Sequence, residues 1–358
     1  MVKNNFNIIG VMSGTSLDGV DIIYASFKYS NHWEYTIIES ETIAYSSDWL
    51  AVLSSLVSQS KTELRAIDES YTKLLAHLIL QFIEKYNIKY IDAVCSHGHT
   101  AQHDPDHGYT YQIGNLPILA EILQLDVVCD FRVQDVELGG QGAPLVPIGD
   151  ALLFPDFDFC LNLGGFTNVS TEIKGERIAF DVCPMNIVLN HYTKQIGFDY
   201  DDGGKLASTG LVHADLLHEL NALPFYKADY PKSLGLEWVV AHVFPLIDSK
   251  NLDVHDVLRT FVEHIAIQIA KILPVTKSVS LLITGGGAFN SFLIERLKAL
   301  TTCEITIPNQ LVIEYKEALI FGLLGILKLR GEINCLKCVT GASKDHSTGV
   351  IYLHSKSI

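Results

Sequence analysis

A glycine-rich turn near the amino terminus is the part of this chain best suited to chemistry. Residues 10–21 read GVMSGTSLDGVD between two apolar stretches, which predicts a β-hairpin with its turn at residues 13–19. Glycines give a ligand access to backbone N–H groups, and the hydroxyl and carboxylate oxygens suit a polyphosphate with its metal ion. The pattern differs from GxxxxGK[ST], because no lysine follows and a strand comes next. An ordinary glycine-containing hairpin is an equal alternative on this segment alone.

Two further segments repeat this kind of chemistry. Residues 157–170 (FDFCLNLGGFTNVS) predict a second hairpin, with Thr167 and Asn168 in its glycine-rich turn. Residues 279–290 (VSLLITGGGAFN) predict a buried strand and three glycines, followed by a helix over 292–300, where a charged ligand could approach the backbone. Each segment is a weak signal alone. Their order resembles that of the actin and sugar-kinase superfamily, in which two α/β lobes clamp ATP.

Within that superfamily the chain resembles the anhydro-N-acetylmuramic acid kinase family over nearly its whole length. The motifs that carry the resemblance are GVMSGTSLDGVD (10–21), SHGHT (96–100), DFRVQDVELGGQGAPLVP (130–147), LNLGGFTNVS (161–170), FDVCPMN (180–186), PKSLGLEW (231–238), TGGGAFN (284–290), KEALIFG (316–322) and VTGAS (339–343). GTSLDG and LGGQGAPLVP together are highly specific. The resemblance implies an α/β, two-lobed actin-like (ribonuclease H-like) fold with the active site in the interlobe cleft, and a homodimer.

The resemblance also implies a reaction and its cofactors. Family members use ATP to open the 1,6-anhydro ring of anhydro-N-acetylmuramic acid with water and to phosphorylate O6, giving N-acetylmuramate 6-phosphate in cell-wall recycling. The nucleotide residues implied by the glycine-rich segments are Ser13, Gly14, Thr15, Ser16, Asp18, Gly19, Gly164, Gly165, Thr167, Asn168, Gly285, Gly286, Gly287 and Asn290. Asp18 is expected to hold Mg²⁺ through water, because hard oxygen ligands suit this ion.

Asp181 is the candidate general base. Residues 178–180 predict a short strand with Asp181 at its carboxyl end, the side of an α/β sheet where ligands bind. A carboxylate there can accept a proton from a nucleophile aligned with the γ-phosphate. By position alone, an aspartate that caps a helix is the likelier reading. The family's catalytic aspartate, which opens its DTGPxN motif, reverses that preference.

Glu317 is the second candidate catalytic group. It matches a family glutamate that faces the sugar, and ring opening resembles glycoside hydrolysis by paired carboxylates. We expect Asp181 to deprotonate the attacking water and Glu317 to orient the sugar or the water. A glutamate in the first turn of a helix, favoured by the helix dipole, is an equal alternative. His97, Arg132 and Asn186 are the expected substrate-binding residues.

The segments expected to bind the sugar depart from the family pattern. Residues 181–186 read DVCPMN where the family has DTGPGN, so Cys183 and Met185 place side chains where the family has bare backbone beside the sugar. A positive φ at either residue would be strained. Leu236 replaces a family arginine, and residues 132–134 read RVQ in place of three arginines, which weakens recognition of the lactyl carboxylate. A kinase for another amino sugar and a non-catalytic ATP-binding sensor are therefore alternatives.

Composition restricts the partners. The chain has 358 residues, 48% of them hydrophobic, and a formal net charge of −15 without a cluster of basic residues. This charge argues against binding to nucleic acid or an anionic membrane. No apolar run has the length of a membrane span, about 18 residues, and the amino terminus lacks the features of a signal peptide. Seven scattered cysteines indicate reduced thiols in the cytoplasm.

The order of elements predicts two lobes. Residues 6–45 predict three strands, 62–86 a long amphipathic helix, and 91–95 and 109–113 two further strands. Strands over 157–181 and helices near 185–196, 254–273, 290–300 and 315–329 follow. The glycine-rich stretch 138–144 has the composition of a hinge or cleft loop. We place an N-terminal lobe at 1–131, completed by 337–358, and a C-terminal lobe at 132–336.

Two other groups of residues could bind metal. His97, His99, His103 and His107 lie within eleven residues, although no acidic zinc motif accompanies them. Cys335 and Cys338 form a single CxxC without a second pair, which is a weak signal for zinc or redox chemistry. We expect a cleft-edge or surface role for the histidines and buried or solvated thiols for the cysteines, with metal binding as the minor alternative.

Overall fold

The computed structural model describes residues 3–14, 17–274 and 278–354. Its strands are β1 Asn5–Ser13, β2 Val20–Tyr29, β3 Trp33–Ile43, β4 Ala93–Asp104, β5 Tyr109–Ile113, β6 Val127–Cys129, β7 Phe159–Leu163, β8 Phe166–Ile173, β9 Glu176–Pro184, β10 Ser280–Thr284, β11 Glu304–Thr306 and β12 Val350–Tyr352. The three amino-terminal strands and the strand over 109–113 are confirmed.

The helices account for most of the other ordered segments. They are α1 Ser47–Ser54, α2 Lys61–Lys85, α3 Ile118–Leu123, α4 Val133–Glu137, α5 Val146–Leu153, α6 Asn186–Gln195, α7 Lys205–Thr209, α8 Ala214–Ala222, α9 Leu236–Trp238, α10 Phe244–Asp248, α11 Val254–Ile272, α12 Ser291–Leu300, α13 Gln310–Leu329 and α14 Lys337–Thr340. Short 3₁₀ turns lie at Leu56–Ser58, Pro105–His107, Asp202–Gly204, Pro224–Lys227 and Gly286–Phe289, and a π-helical turn at Val239–Val243. The predicted long helices are confirmed, and within the described ranges none has the length and apolarity to span a membrane.

The chain divides into two compact units. The first comprises Met1–Phe154 and Tyr315–Ile358, and the second comprises Pro155–Glu314. Residues 132–154 and 315–336 thus belong to the first unit, whereas the sequence suggested boundaries at 131 and 336. Packing within the first unit explains this: a Cβ on Gly149 of α5 would lie 2.5 Å from Ile320 of α13. Lys316 of α13 also forms a buried ion pair with Asp150 of α5, at 2.7 Å.

The first unit is built on a seven-stranded sheet. Its order is β12-β6-β4-β1-β2-β3, with β5 paired to β4. Strand β1 pairs antiparallel with β2 and parallel with β4, and it is buried on both faces, as expected for a central strand. Helix α2 begins at a capping box of Ser60 and Glu63 and packs its apolar stripe on this sheet.

The second unit has a five-stranded sheet in the order β11-β10-β7-β8-β9. Strands β7, β10 and β11 are parallel, whereas β7, β8 and β9 form an antiparallel meander. Helix α11 is buried along one side and packs with α6 and α12 in one apolar core. Both units are therefore α/β, and the predicted fold class is confirmed at that level.

Candidate active site

The first glycine-rich turn joins β1 and β2, as predicted. The two strands pair up to Ser13 opposite Val20, so the turn covers residues 14–19. Thr15 and Ser16, both predicted nucleotide ligands, lie outside the described residues. The carboxylate of Asp18 is exposed. Gly19 is buried, and a Cβ there would lie 2.6 Å from a backbone carbonyl oxygen of β3, which explains the glycine.

Ser13 anchors this turn from inside the first unit. Its Oγ lies 2.8 Å from Nδ1 of His99 and 2.5 Å from the hydroxyl of Tyr45, which lies 2.6 Å from that of Tyr71. Burial lowers the pKa of His99 to about 4, so this imidazole is neutral near pH 7. The hydroxyl of Ser13 is thus occupied in a buried chain of hydrogen bonds, and we expect Gly14 to offer the closer approach to a ligand.

The second turn is shorter than predicted. Only Gly164 and Gly165 lie between β7 and β8, so Thr167 and Asn168 belong to β8 and not to the turn. Thr167 is buried and Asn168 is exposed. The carbonyl oxygen of Gly165 accepts a hydrogen bond of 2.9 Å from the N–H of Met185, which ties the turn to the start of α6.

The third glycine-rich segment divides into structural and accessible positions. A Cβ on Gly285 would lie 2.5 Å from Asn162, and one on Gly287 would lie 2.2 Å from Met185, so both glycines are required by packing. Gly286 is exposed, and within the described ranges no atom lies within 4 Å of the place where its Cβ would stand. Asn290, a predicted nucleotide ligand, caps α12, because its Oδ1 accepts a 3.0 Å hydrogen bond from the N–H of Leu293.

Asp181 lies within β9, not at the end of a strand as predicted. The strand continues to Pro184, with a bulge at Val182 because Asn168 pairs with Asp181 while Thr167 pairs with Cys183. The helix-cap alternative is wrong, because Met185 occupies the cap position of α6.

Main-chain groups of the segment 231–238 hold Asp181. Its N–H donates to the carbonyl oxygen of Lys232 at 3.0 Å, and its Oδ2 accepts from the N–H of Leu234 at 2.7 Å. Burial raises the pKa of the Asp181 carboxyl, and the hydrogen bond from Leu234 partly offsets this effect. Its Oδ1 has no hydrogen bond to the part of the chain that the structure describes. Asp181 is thus a fixed carboxylate with one oxygen available to accept a proton.

The substituted residues beside Asp181 face the interior, contrary to the sequence expectation. Val182, Cys183 and Met185 are at most 2% exposed and belong to the apolar core of the second unit. Neither Cys183 nor Met185 has a positive φ, so the predicted strain is absent. Asn186, the first residue of α6, is half-buried, and its Nδ2 lies 3.5 Å from the carbonyl oxygen of Leu163. The substitutions at residues 182, 183 and 185 therefore change the packing of the core.

Arg132 of the first unit is held by two acceptors. Its Nε donates to Nε2 of His97 at 2.7 Å, and its Nη1 donates to the carbonyl oxygen of Gly142 at 2.6 Å. Nδ1 of His97 lies 2.8 Å from the carbonyl oxygen of Gly98, so this nitrogen carries the proton. Burial and the charge of Arg132 hold the pKa of His97 well below its usual range. His97 is therefore a neutral support for Arg132 rather than a charged ligand.

Glu317 lies inside α13 and not in its first turn. The helix begins at Gln310, so the helix-dipole alternative is wrong. Solvent reaches its side chain. The surrounding protein still raises the pKa of its carboxyl, against the positive charges of Arg132 and Lys316. An acid with a raised pKa beside an arginine can exchange a proton or a hydrogen bond with a bound hydroxyl group.

The four histidines between residues 97 and 107 do not converge on one metal site, and His97 and His99 are buried, whereas the sequence suggested a cleft-edge or surface role. His97 and His99 have the partners described above, His103 lies 2.9 Å from the hydroxyl of Thr110, and the exposed His107 pairs with Asp104. Within the described ranges, the side chains that could together hold a metal ion are those of Asp135, Cys335 and His346. Sequence reasoning missed the roles of Leu234 and Gly142, although both lie in motifs that carried the family resemblance.

Comparison with known proteins gives a match over nearly the whole chain. Residues 6–354 match the family model described as anhydro-N-acetylmuramic acid kinase. Proteins of that name from Pseudomonas syringae pv. tomato and Shewanella putrefaciens are 36% and 33% identical, over 97% of this chain in both cases and 99% and 98% of the relatives.

Two solved structures with a similar fold are more distantly related to this chain. An activator of 2-hydroxyisocaproyl-CoA dehydratase from Clostridium difficile with bound ADPNP is 13% identical, covers 89% of this chain and 94% of its own, and has a TM-score of 0.42. A ROK family glucokinase from Streptomyces griseus with glucose and AMPPNP is 11% identical, covers 90% and 98%, and has a TM-score of 0.40. These similarities are too low to inform function.

Proposed function

The chain belongs to the anhydro-N-acetylmuramic acid kinase family, and we propose that Asp181, Glu317 and Arg132 carry its reaction. It is an ATP-dependent sugar kinase that opens the 1,6-anhydro ring of anhydro-N-acetylmuramic acid with water and phosphorylates O6. The product is N-acetylmuramate 6-phosphate, formed in cell-wall recycling. The roles of individual residues are proposed from the geometry within each unit.

The proposal rests chiefly on the position of Asp181. Its Oδ2 is fixed by the N–H of Leu234, and its Oδ1 has no partner among the described residues. Oδ1 would take a proton from water as the water oxygen bonds to the anomeric carbon. The bond from that carbon to O6 then breaks, O6 bonds to the γ-phosphorus, and ADP leaves. A raised pKa brings the carboxylate closer to the basicity needed for this transfer.

Arg132 is proposed to bind the lactyl carboxylate of the sugar. Its Nε and Nη1 are occupied by His97 and Gly142, and its Nη2 has no hydrogen bond to the described part of the chain. A guanidinium held at two points offers its remaining N–H groups in a fixed direction, which suits a planar carboxylate. Glu317 is proposed to orient a sugar hydroxyl or the water, with His97 as the support for Arg132 and Asn186 as a further sugar contact.

The nucleotide is proposed to bind at the three glycine-rich turns. Gly165 and Gly286 are exposed, and Gly14 is half-buried, so one glycine of each turn is open to a ligand among the described residues. Asp18 fits Mg²⁺, because its exposed carboxylate supplies a hard oxygen ligand within the first turn. Bound Mg²⁺ would neutralise charge on the transferring phosphates.

An ADP-release assay on a panel of sugars tests the proposal. We expect release only with the anhydro sugar, and a product phosphorylated on O6. Turnover of an ordinary amino sugar at an equal rate would favour the alternative kinase, and ATP binding without turnover would favour the sensor. Neither alternative has support from the substituted residues Cys183 and Met185, since both face the core.

Two further proposals rest on the family and, for the location and the absence of nucleic acid, on the scattered cysteines and the net charge of −15. We expect a homodimer, which light scattering of the purified chain would test. We also expect a cytoplasmic enzyme without nucleic-acid partners, which cell fractionation and a filter-binding assay would test.

A further inference from the structure

Three buried side chains from separate parts of the sequence converge in the first unit. Asp135 lies in α4, Cys335 follows α13, and His346 lies between α14 and β12; none is more than 5% exposed. Sγ of Cys335 lies 3.1 Å from Oδ1 of Asp135, and Nε2 of His346 lies 3.5 Å from the same oxygen. All three potential ligand atoms lie within 4.8 Å of one another.

His346 supplies the observation that points to a bound cation. Its Nδ1 lies 3.1 Å from the carbonyl oxygen of Lys344, so Nδ1 carries the proton and Nε2 holds a lone pair. This Nε2 is buried without a hydrogen-bond partner in the described part of the chain, and it faces an acceptor, Oδ1 of Asp135. Two buried acceptors facing each other are unfavourable unless a cation or a proton lies between them.

We propose that Asp135, Cys335 and His346 bind a Zn²⁺ ion. Zinc takes sulfur, nitrogen and oxygen ligands at about 2.0–2.3 Å in a tetrahedron, which separates neighbouring ligand atoms by about 3.3–3.7 Å. The distances of 3.1 and 3.5 Å need only small shifts to meet this spacing. One thiolate and one carboxylate balance the charge of the ion, so the buried site would be neutral. Water or the hydroxyl of Thr340, 2.7 Å from Oδ1 of Asp135, completes the fourth position.

This site would fasten the carboxyl-terminal segment to the loop that holds Arg132. Oδ2 of Asp135 accepts a 2.7 Å hydrogen bond from the N–H of Gly142, whose carbonyl oxygen accepts from Arg132. The N–H of Gln141 also donates to the carbonyl oxygen of Thr340 at 2.8 Å. Bound zinc would therefore help to position Arg132, the residue proposed to bind the sugar. The existence of the site does not depend on the role proposed for Arg132.

Metal analysis of the full-length chain tests the site directly. The protein is expressed with zinc supplied, desalted and analysed by mass spectrometry of its metal content, and a second sample is loaded with Co²⁺. We expect about one zinc per chain and a thiolate-to-cobalt absorption band in the near ultraviolet. Cys335→Ser should remove the band. His346→Gln should weaken zinc affinity by at least ~100-fold, since even changes to groups behind a ligand cost ~10–100-fold.

Cys303→Ser is the matched control, because Cys303 is partly buried in the second unit, away from this cluster. It should keep both the zinc and the cobalt band. Wild-type protein without bound zinc and without the band would overturn the proposal, and this result needs no variant that could misfold. In that case Nε2 of His346 would carry a proton, and His346 and Asp135 would form a buried ion pair. Zinc retained by folded Cys335→Ser and His346→Gln variants would also overturn it.

Discussion

The two units hold their key polar side chains by different kinds of bond. Asp181, in the second unit, is fixed by main-chain groups, the N–H of Leu234 and the carbonyl oxygen of Lys232. Arg132, in the first unit, depends on the side chain of His97 as well as on Gly142. Main-chain contacts survive changes of neighbouring side chains, whereas a side-chain network requires particular residues. This difference explains how Asp181 keeps its setting in a segment, the end of β9 and the start of α6, whose sequence departs from the family pattern.

Within the second unit, the residues proposed for catalysis and the residues that pack the core are different. Cys183 and Met185 replace family glycines, yet their side chains fill the apolar core and leave the carboxylate of Asp181 untouched. We therefore expect changes at these two residues to alter stability, and changes at Asp181 to alter turnover.

The largest expected effect is that of Asp181→Asn. The amide keeps the shape and can still accept from Leu234, but it cannot take up the proton. We expect turnover to fall by ~10²–10⁴-fold, the typical contribution of a general base, while ATP binding is unchanged. ADP release measures the rate, and titration with a fluorescent nucleotide measures binding. Asp199→Asn, an exposed aspartate of the same unit, is the control. Turnover within threefold of wild type would remove Asp181 from the mechanism.

Met185→Ala should affect stability and not specificity. Met185 is fully buried, and its truncation leaves a cavity beside Gly287. We expect a loss of about 2–5 kcal/mol in the free energy of unfolding. Urea unfolding measures this loss, and a sugar panel measures specificity.

Leu211→Ala is the control for this variant, because Leu211 is 75% exposed in the same unit. It should change stability by less than about 0.5 kcal/mol. A changed sugar profile in Met185→Ala with unchanged stability would show that Met185 faces the substrate after all, and the separation of packing from catalysis would fail.

Arg132→Lys should test the side-chain network of the first unit. Lysine keeps the positive charge but cannot donate to both His97 and Gly142 in the planar geometry of a guanidinium. Loss of a charge-assisted hydrogen bond of about 1.5–3 kcal/mol corresponds to a rise of ~10–150-fold in the KM for the sugar. Steady-state kinetics with varied sugar and varied ATP distinguishes this from an effect on nucleotide. Arg65→Lys, at an exposed position of the same unit, is the control. An unchanged KM would exclude Arg132 from sugar binding.

The elements were predictable where their signals are local. Apolar alternation predicted the hairpin of β1 and β2, and helical spacing predicted α2, because each pattern is complete within one segment. The role of Asn290 was harder to predict. The residue caps α12, and a motif match does not distinguish a helix cap from a ligand.

The contacts that define the site join distant residues and were not predictable. Leu234 meets Asp181 across 53 positions of sequence, and Cys335 meets Asp135 across 200. The bulge at Val182 breaks the alternation of β9, so the inward direction of the residues that follow could not be inferred from period two. The lobe boundaries differed for the same reason, because the contact of Gly149 with Ile320 is long-range.

The smallest expected effect concerns the buried chain beneath the first turn. The pKa of His99 is about 4 in the folded protein, against about 6.5 when unfolded, so the folded state binds fewer protons. The neutral ring therefore contributes stability that is present above pH 6.5 and is lost as the pH falls toward 4. At pH 5 this loss is about 2 kcal/mol relative to pH 7.5. His99→Gln should remove this loss, so the decrease in unfolding free energy from pH 7.5 to pH 5 should be about 2 kcal/mol smaller than in the wild type.

Urea unfolding at pH 5.0 and 7.5 measures the difference between wild type and His99→Gln. Trp33 and Trp49 lie in the first unit and Trp238 in the second, so fluorescence and far-ultraviolet circular dichroism together follow the unfolding of both units. His32→Gln, an exposed histidine of the first unit, should leave the acid loss unchanged. If His99→Gln and wild type lose equal stability in acid, His99 is not held neutral by the hydrogen-bonded chain from Ser13 to Tyr71. The side-chain network would then contribute less to the stability of the first unit than the comparison with Asp181 implies.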